Sequence, residues 1–162
     1  DSYKSFIATA HSAAVASSVL VMRHYPVRGA LGTGRLYADQ EKNIFVGSAL
    51  IDAYECGERQ DWVGFVMTPL ALRKFDDRVG GTNTPWSCCD YYEYDVPMKT
   101  RDGHLSTERL WAANIAELPG VARIVKEGAR SKDLRVRRKY ENTDKFVEWI
   151  GKQGANSKPQ QF

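Results

Sequence analysis

Two glycine-rich segments contain the residue types and spacings in this sequence that are best suited to chemistry. Residues 28–34 read Arg-Gly-Ala-Leu-Gly-Thr-Gly, and residues 47–54 read Gly-Ser-Ala-Leu-Ile-Asp-Ala-Tyr. Glycine lets a backbone approach a ligand or another backbone closely, which a nucleoside triphosphate site or a tight dimer interface requires. No Lys-Ser or Lys-Thr follows the first segment, so it is not a phosphate-binding loop and its glycines are interpreted as close packing in a sheet.

Two carboxylates and one arginine in or beside these segments are candidates for ligand contacts. Asp52 and Glu55 lie on a predicted helix and could hold a metal ion together, although their spacing is also typical of a solvated helix face. Arg28 begins a glycine-rich strand and could bind a triphosphate or pair with a neighbouring carboxylate. The residue types alone leave these alternatives open.

The composition indicates one ordinary domain. The chain has 162 residues, of which 43% are hydrophobic and 27% are charged, and its net charge of +3 does not require a polyanionic partner. We expect no apolar run of the roughly 20 residues that span a bilayer, no signal segment and therefore a cytoplasmic protein. The three cysteines, Cys56, Cys88 and Cys89, are predicted to be reduced thiols without a metal.

Hydrophobic patterning predicts the elements that position these residues. Strands are expected over residues 3–9, 27–36, 44–46, 62–67, 91–99 and 107–115, and helices over residues 11–24, 48–56, 70–75, 120–128 and 134–150. Residues 108–110 would also suit a helix. Leu50, Ala53 and Tyr54 are expected to face inward, and Gly57 to end its helix. Asp1 is predicted to lie in the turn of a hairpin whose first strand is missing, so we expect a piece of a longer protein.

The order of these elements predicts an α+β fold. It is typical of a ferredoxin-like α/β sandwich, in which an antiparallel sheet is covered by helices on one face. Residues 1–150 are expected to form this single domain, which includes a C-terminal extension, and residues 151–162 a flexible tail.

Residues 1 to about 70 resemble the later part of a class III nucleotide cyclase catalytic domain. That family has an Arg-Ile-Gly-Ile-x-x-Gly strand, then a hairpin, then a helix opened by Gly-x-x-Val-Asn-x-Ala-x-Arg. The segment at 28–34 resembles the strand, and Gly47 with Ala53 resembles the helix. The segments Val-Pro-Met-Lys at 96–99, Trp-Ala-Ala-Asn at 111–114 and Lys-Tyr-Glu-Asn-Thr at 139–143 resemble the extension of a bacterial branch of cyclase-like proteins.

The resemblance implies that the catalytic residues are largely replaced. In active cyclases two aspartates hold two metal ions, Mg²⁺ or Mn²⁺; the first lies on a strand that this sequence lacks, and Asp1 matches the second. Ile51 replaces the asparagine that orients the ribose, and Glu55 replaces the arginine that stabilises the phosphate in the transition state. Ile44 takes the place of the acid that reads the purine, with Asn43 as its substitute if the register shifts by one residue.

We therefore expect a cyclase-like domain that is catalytically degenerate and acts as a nucleotide-binding or regulatory dimerisation module, with a homodimer implied by the resemblance. The predicted metal residue is Asp1, and the predicted nucleotide-binding residues are Arg28, Asn43, Asp52 and Glu55. One alternative is a noncanonical cyclase that forms a cyclic nucleotide from a nucleoside triphosphate in the full-length protein.

A nucleic-acid-binding module is the other alternative, because a basic run occupies residues 126–139. The acidic residues Glu127, Asp133, Glu141 and Asp144 dilute this run, and no aromatic residues interleave on the plausible central strands. We do not favour nucleic acid as the partner.

Overall fold

The chain folds as an α+β structure, as the order of its elements predicts. A computed structural model describes residues 2–73 and 91–156. Four strands form one sheet in the order β1-β4-β6-β5, and β2 pairs with β3 in a separate ribbon. In chain order the elements are α1 Ser2–Met22, β1 Arg28–Leu31, β2 Tyr37–Asp39, β3 Ile44–Val46, α2 Ser48–Arg59, β4 Gly64–Met67, α3 described over residues 69–73, β5 Tyr91–Lys99, β6 Leu105–Ala113, a 3-10 helix Ile115–Glu117, α4 Val121–Gly128 and α5 Leu134–Asn156.

The four-stranded sheet is mixed, which corrects the expectation of a wholly antiparallel sheet. β1 runs parallel to β4, with Arg28 opposite Gly64 and Leu31 opposite Met67. The pairs β4–β6 and β5–β6 are antiparallel. A parallel pair needs a long crossover connection, and the β2–β3 ribbon together with α2 supplies it.

Helices cover both faces of the sheet, whereas the sequence predicted helices on one face. On one face Ala10 and Ala14 of α1 pack with Met67 of β4. On the other face Phe146 of α5 packs with Val66 of β4. Consecutive strand residues point to opposite faces, so neighbouring residues of β4 serve two separate clusters.

A third apolar cluster joins the helices to one another. Its buried members come from α1, the 3-10 helix, α4, α5 and the segment before β4, and they are Val21, Val63, Ile115, Val121, Ile124, Val125 and Tyr140. Thr143 of α5 fixes the helix to this cluster, because its hydroxyl accepts from the Val63 amide at 2.8 Å and lies 2.9 Å from the Val63 carbonyl. Helix α5 continues to Asn156, past its predicted end at residue 150.

The predicted strand at residues 3–9 is wrong, because these residues belong to α1. Phe6, Ala10 and Ala14 recur four residues apart and pack into the same cluster. No glycine or proline separates residues 3–9 from the alanine-rich stretch that follows. The helix therefore continues through both segments, because each added residue contributes one backbone hydrogen bond. The hairpin predicted around Asp1 thus loses its second strand, and Asp1 itself lies outside the described residues.

Helix α1 also corrects the expectation that the chain contains no apolar run long enough to span a bilayer. Residues Lys4–Met22 are long and apolar enough by length and composition. A helix in the core of a globular domain passes the same test, and the side chains of Ala10, Ala14 and Val21 are buried in the described structure. In this fold α1 packs against the sheet.

Helix α2 packs closely against β1 and the residues that follow it, because the residues at this contact have no large side chains. A Cβ atom built on Gly32 would lie 2.6 Å from the carbonyl oxygen of Ala49 and 3.1 Å from Cβ of Ala53. One built on Gly57 would lie 3.7 Å from the Cα atom of Gly29. The contact confirms the interpretation of these glycines as close packing, and it places Gly57 inside α2, which ends at Arg59 rather than at Gly57.

Gly47 permits the second close approach, at the start of α2. Its φ of 152° lies in a region that favours glycine, and a Cβ atom there would overlap the carbonyl oxygen of Arg35. The Ala49 amide donates to the same carbonyl at 3.2 Å, and the Ser48 hydroxyl accepts from the Arg35 amide at 3.1 Å. The segment before β2 is therefore fixed to the first turn of α2.

Replacing Gly32 with alanine is expected to destabilise the fold by about 1–3 kcal/mol, the usual cost of overpacking. The added methyl group would meet the backbone of Ala49 and Ala53, which can yield only if α2 shifts. Gly151 in α5 is the matched control, because no atom lies within 4 Å of a Cβ there and alanine should stabilise the helix by up to about 1 kcal/mol. Urea unfolding followed by circular dichroism measures both variants, and equal stabilities would contradict the close contact.

Candidate functional site

The side chain of Arg28 pairs with a carboxylate of the chain, which is one of the two alternatives that the sequence left open for this residue. Its Nη2 lies 2.8 Å from Oε1 of Glu58, and its Nη1 donates to the carbonyl oxygen of Gln60 at 3.1 Å. The Gln60 side chain in turn donates to the carbonyl of Gly29 at 2.9 Å and accepts from the indole N–H of Trp62 at 2.8 Å. Arg28 thus ties β1 to the end of α2.

Asn43 has a structural role in the turn between β2 and β3. Its φ of 54° is the left-handed conformation that asparagine tolerates in tight turns, and its amide donates to the carbonyl of Gln40 at 3.4 Å. Asp39 supports the same turn, because its carboxylate accepts from both the amide and the side chain of Lys42. These hydrogen bonds lower the pKa of Asp39. Asn43 therefore lies at the tip of the ribbon, on a different element from Arg28, Asp52 and Glu55.

Asp52 and Glu55 line one groove, and they are the only two predicted nucleotide-binding residues that the described structure brings together there. The groove has a volume of about 290 Å³ and lies between α2, α3 and β6. We call it the α2 groove; its lining residues are Asp52, Glu55, Cys56, Arg59, Pro69, Leu70, Arg73 and Glu108. The Thr68 hydroxyl donates to Oδ2 of Asp52 at 2.6 Å and accepts from the Ala71 amide, so it joins α2 to the first turn of α3.

The charges of the α2 groove do not favour a triphosphate. Three carboxylates, from Asp52, Glu55 and Glu108, face two arginines, and Arg59 already pairs with Glu108 at 2.6 Å. A polyphosphate would therefore meet excess negative charge. Sequence reasoning missed Arg59, Arg73 and Glu108, because their approach to the groove depends on how α2, α3 and β6 pack.

The described residues do not fit the two metal ions that the resemblance implies. Residues 2–73 and 91–156 contain no group of three His, Cys, Asp or Glu side chains close enough to hold a metal. One carboxylate oxygen of Asp52 is engaged by Thr68, and Asp1, the predicted metal residue, lies outside these ranges. We therefore derive no catalytic step through a metal.

A second candidate site is an apolar surface on the ribbon and the outer side of α2. We call it the hairpin–helix surface; its members are Leu36, Tyr37, Ile44, Phe45, Val46, Leu50, Ile51 and Tyr54. Tyr37 is 59% exposed, Phe45 46% and Tyr54 68%. Tyr37 lies opposite Val46 on one face of the ribbon, whereas Phe45 alternates to the other face, so both faces present apolar side chains.

The orientation of α2 explains this surface and corrects the expectation that Leu50 and Tyr54 face inward. Ala49, Ala53 and Gly57 recur four residues apart, and this small-residue side of the helix faces β1. Leu50 and Tyr54 consequently point away from the sheet, with Ile51 beside them. The spacing of small residues in α2, matched by the glycines of β1, is the sequence signal that could have revealed this orientation.

Comparison of the chain with protein-family models, with curated proteins and with solved structures finds no match in any of the three. The candidate sites therefore rest on the geometry of the described residues and on the sequence resemblance.

The thiol of Cys56 in the α2 groove is expected to react slowly with alkylating reagents. Burial raises its pKa from 9.0 to about 11, with Glu108 adding to the effect, so at pH 8 the thiolate fraction falls about a hundredfold. Iodoacetamide labelling at pH 8, followed by mass spectrometry of the Cys56 peptide, should show labelling slowed at least that much relative to the same chain unfolded in urea. Equal rates in the folded and unfolded chain would show that Cys56 is open to solvent.

Proposed function

We propose that this chain is a cyclase-like domain that no longer catalyses and that acts as a homodimerising regulatory module. The observation that carries the proposal is the hairpin–helix surface, which exposes large apolar side chains on the ribbon and helix where the sequence resembles a cyclase. The resemblance implies a homodimer, and this surface supplies an apolar face for it. The α2 groove is the candidate position of a small regulatory ligand between such subunits.

The size of the hairpin–helix surface supports association with a partner. A two-stranded ribbon is marginally stable in water on its own, yet here both of its faces are apolar and exposed. Aromatic side chains bury about 150–250 Å² each, so the half-exposed Tyr37, Phe45 and Tyr54 alone offer roughly 300 Å². The five aliphatic members add to this area. Because the two faces of the ribbon cannot both meet one partner, a single interface covers part of the roughly 800 Å² per partner that is standard.

A second copy of the chain is the partner that the surface fits best. A twofold interface must be self-complementary, and charges of both signs flank these apolar residues. Arg35 and Lys42 are exposed on the ribbon side, and Glu41 and Glu55 are exposed on the same two elements. Two copies related by a twofold axis can place opposite charges against each other around an apolar centre.

The residues at the catalytic positions support the loss of cyclase activity. Glu55 places a carboxylate where negative charge would develop in the transition state, and Ile51 has no polar group to orient a ribose. Among the described residues Glu55 makes no ion pair, because Arg59 of the same groove pairs with Glu108, whereas Asp39 on the ribbon pairs with Lys42.

We also propose a cytoplasmic location. The buried free thiol of Cys56 suits a reducing compartment, and the packing of α1 against the sheet supports a globular domain.

Introducing a charge on the hairpin–helix surface is expected to dissociate the dimer. Phe45→Asp and Tyr54→Asp each replace an exposed aromatic side chain of the proposed interface with a charge, so each should weaken association at least tenfold. The matched control is Leu134→Asp, because Leu134 is a 72% exposed apolar residue at the start of α5, away from this surface. Sedimentation velocity over a range of concentrations should show dimers for the wild type and the control and monomers for the other two variants.

Two outcomes of this experiment would overturn the proposal. The first is a wild-type chain that stays monomeric at about 100 µM, a concentration well above the micromolar affinity of ordinary interfaces. The second is equal association of all four proteins. Circular dichroism spectra that match the wild type show that a variant is folded, which separates dissociation from unfolding.

Incubation with ATP, GTP, CTP or UTP and Mn²⁺ is expected to release no pyrophosphate, because Glu55 opposes the charge of the transition state. Coupled detection of pyrophosphate, with chromatography for cyclic nucleotides, measures this directly. A cyclic product from the wild-type chain that is lost in Asp52→Asn would replace the proposal with the noncanonical cyclase.

A further inference from the structure

The α2 groove contains two charged side chains that the rest of the described chain leaves without a partner. Glu55 of α2 and Arg73 of α3 both line this groove. Among residues 2–73 and 91–156 neither side chain makes an ion pair or a hydrogen bond. They do not pair with each other either, although their charges are opposite. An acid and a base thus line the same cavity from two different elements, with the space of the groove between them.

The other charges of the α2 groove are already used within the chain. Arg59 pairs with Glu108 at 2.6 Å, so these two charges compensate each other. One carboxylate oxygen of Asp52, Oδ2, accepts from the Thr68 hydroxyl at 2.6 Å. The unpaired acid on α2 and the unpaired base on α3 are therefore the main charges left for a ligand, with the second oxygen of Asp52 beside the acid.

Hydrogen bonds and an ion pair hold the walls of the groove in position. The Thr68 hydroxyl that donates to Asp52 on α2 also accepts from the Ala71 amide at 3.1 Å, so one side chain joins α2 to α3. The pair between Arg59 and Glu108 joins α2 to β6. A site whose walls are fixed in advance loses less conformational entropy when a ligand binds.

The remaining lining of the groove is uncharged and largely apolar. Pro69 and Leu70 belong to it, and Leu70 is 42% exposed. Burial raises the pKa of the Cys56 thiol to about 11, so this side chain is neutral at pH 7. The cavity volume of about 290 Å³ equals that of roughly ten water molecules, so a ligand of about ten non-hydrogen atoms would fill it.

We infer that the α2 groove binds a small zwitterion, an aliphatic amino acid. Glu55 and Asp52 accept hydrogen bonds from its ammonium group, and Arg73 donates to its carboxylate, both in charge-assisted contacts. Its side chain packs against Leu70 and Pro69. The inference rests on the proposed function in one respect, because it gives a chemical class to the regulatory ligand of this groove.

Ligands that carry a single charge fit the groove less well. An amine would leave Arg73 without a partner, and a carboxylic acid would bring its negative charge close to Glu55 and Asp52. A zwitterion pairs with the unpaired acid and the unpaired base at once, and it adds no net charge to the groove.

The test is isothermal titration calorimetry of the chain with L-leucine and with two analogues that each lack one charge. The first, 3-methylbutylamine, has no carboxylate, and the second, 4-methylpentanoate, has no ammonium group. Leucine is expected to bind, because its size and its branched side chain match the groove. Each analogue should bind roughly tenfold more weakly, since each loses one charge-assisted contact.

Variants of the two unpaired residues test the contacts from the side of the protein. Glu55→Gln and Arg73→Gln should each weaken leucine binding roughly tenfold, for the same reason. The matched controls are Glu148→Gln in α5 and Arg101→Gln in the turn after β5, because both residues are exposed and neither lines the groove. The controls should bind leucine as the wild type does. All four changes lie at the surface, and circular dichroism spectra check that each variant is folded.

Three outcomes would overturn the inference. The first is no binding of leucine at about 10 mM, a concentration that detects even a millimolar dissociation constant. The second is leucine binding that Glu55→Gln and Arg73→Gln leave unchanged. The third is tighter binding of 3-methylbutylamine than of leucine, which would make the groove a site for cations.

Sedimentation velocity of the same wild-type sample separates these results from the outcome for the dimer. A chain that dimerises without binding leucine would overturn this inference alone. A chain that binds leucine as a monomer would overturn the proposed dimer alone.

Discussion

The close contact between α2 and β1 is the constraint on which the rest of the structure depends. Gly32, which directly follows β1, has no room for a Cβ atom, because one would lie 2.6 Å from the carbonyl oxygen of Ala49 in α2. The helix in turn presents its small residues Ala49, Ala53 and Gly57 to this part of the chain. A helix held this close fixes the crossover between β1 and β4, which pair in parallel. Gly47 then fixes the point at which the chain leaves the ribbon and enters the helix.

One consequence of this contact is the unusual distribution of apolar residues in α2. A helix at the surface of a domain normally buries its large apolar side chains and exposes its polar ones. Here the side facing the sheet is occupied by alanine and glycine, so Leu50 and Tyr54 must lie on the other side. The same packing that makes the fold tight therefore creates an apolar surface that the domain cannot cover with its own described residues.

Local patterns in the sequence predicted those helices and strands whose own residues indicate the structure without reference to distant parts of the chain. The strands at 62–67 and 91–99 and the helix at 120–128 were recognisable from dense or alternating apolar residues, and they appear as β4, β5 and α4. Residues 3–9 were mispredicted as a strand because their type suits either element, and only continuity with the alanine-rich stretch decides for helix. The direction of β1 relative to β4 and the outward side of α2 depend on tertiary packing, which no local pattern encodes.

The candidate site residues illustrate the same limit, because residue type indicates a charge but not which partner it will meet. Arg28 was recognisable as a cation near the glycine-rich strand, yet the identity of its carboxylate partner, Glu58, thirty residues away, was not. Asp61 was not singled out at all, although its burial organises Arg138, Lys99 and the start of β4. A buried carboxylate must be paired to be tolerated, so the ion pair between Asp61 and Arg138 holds α5 against the start of β4. Which charges meet is thus determined by how α5 packs, and residue type alone does not encode that packing.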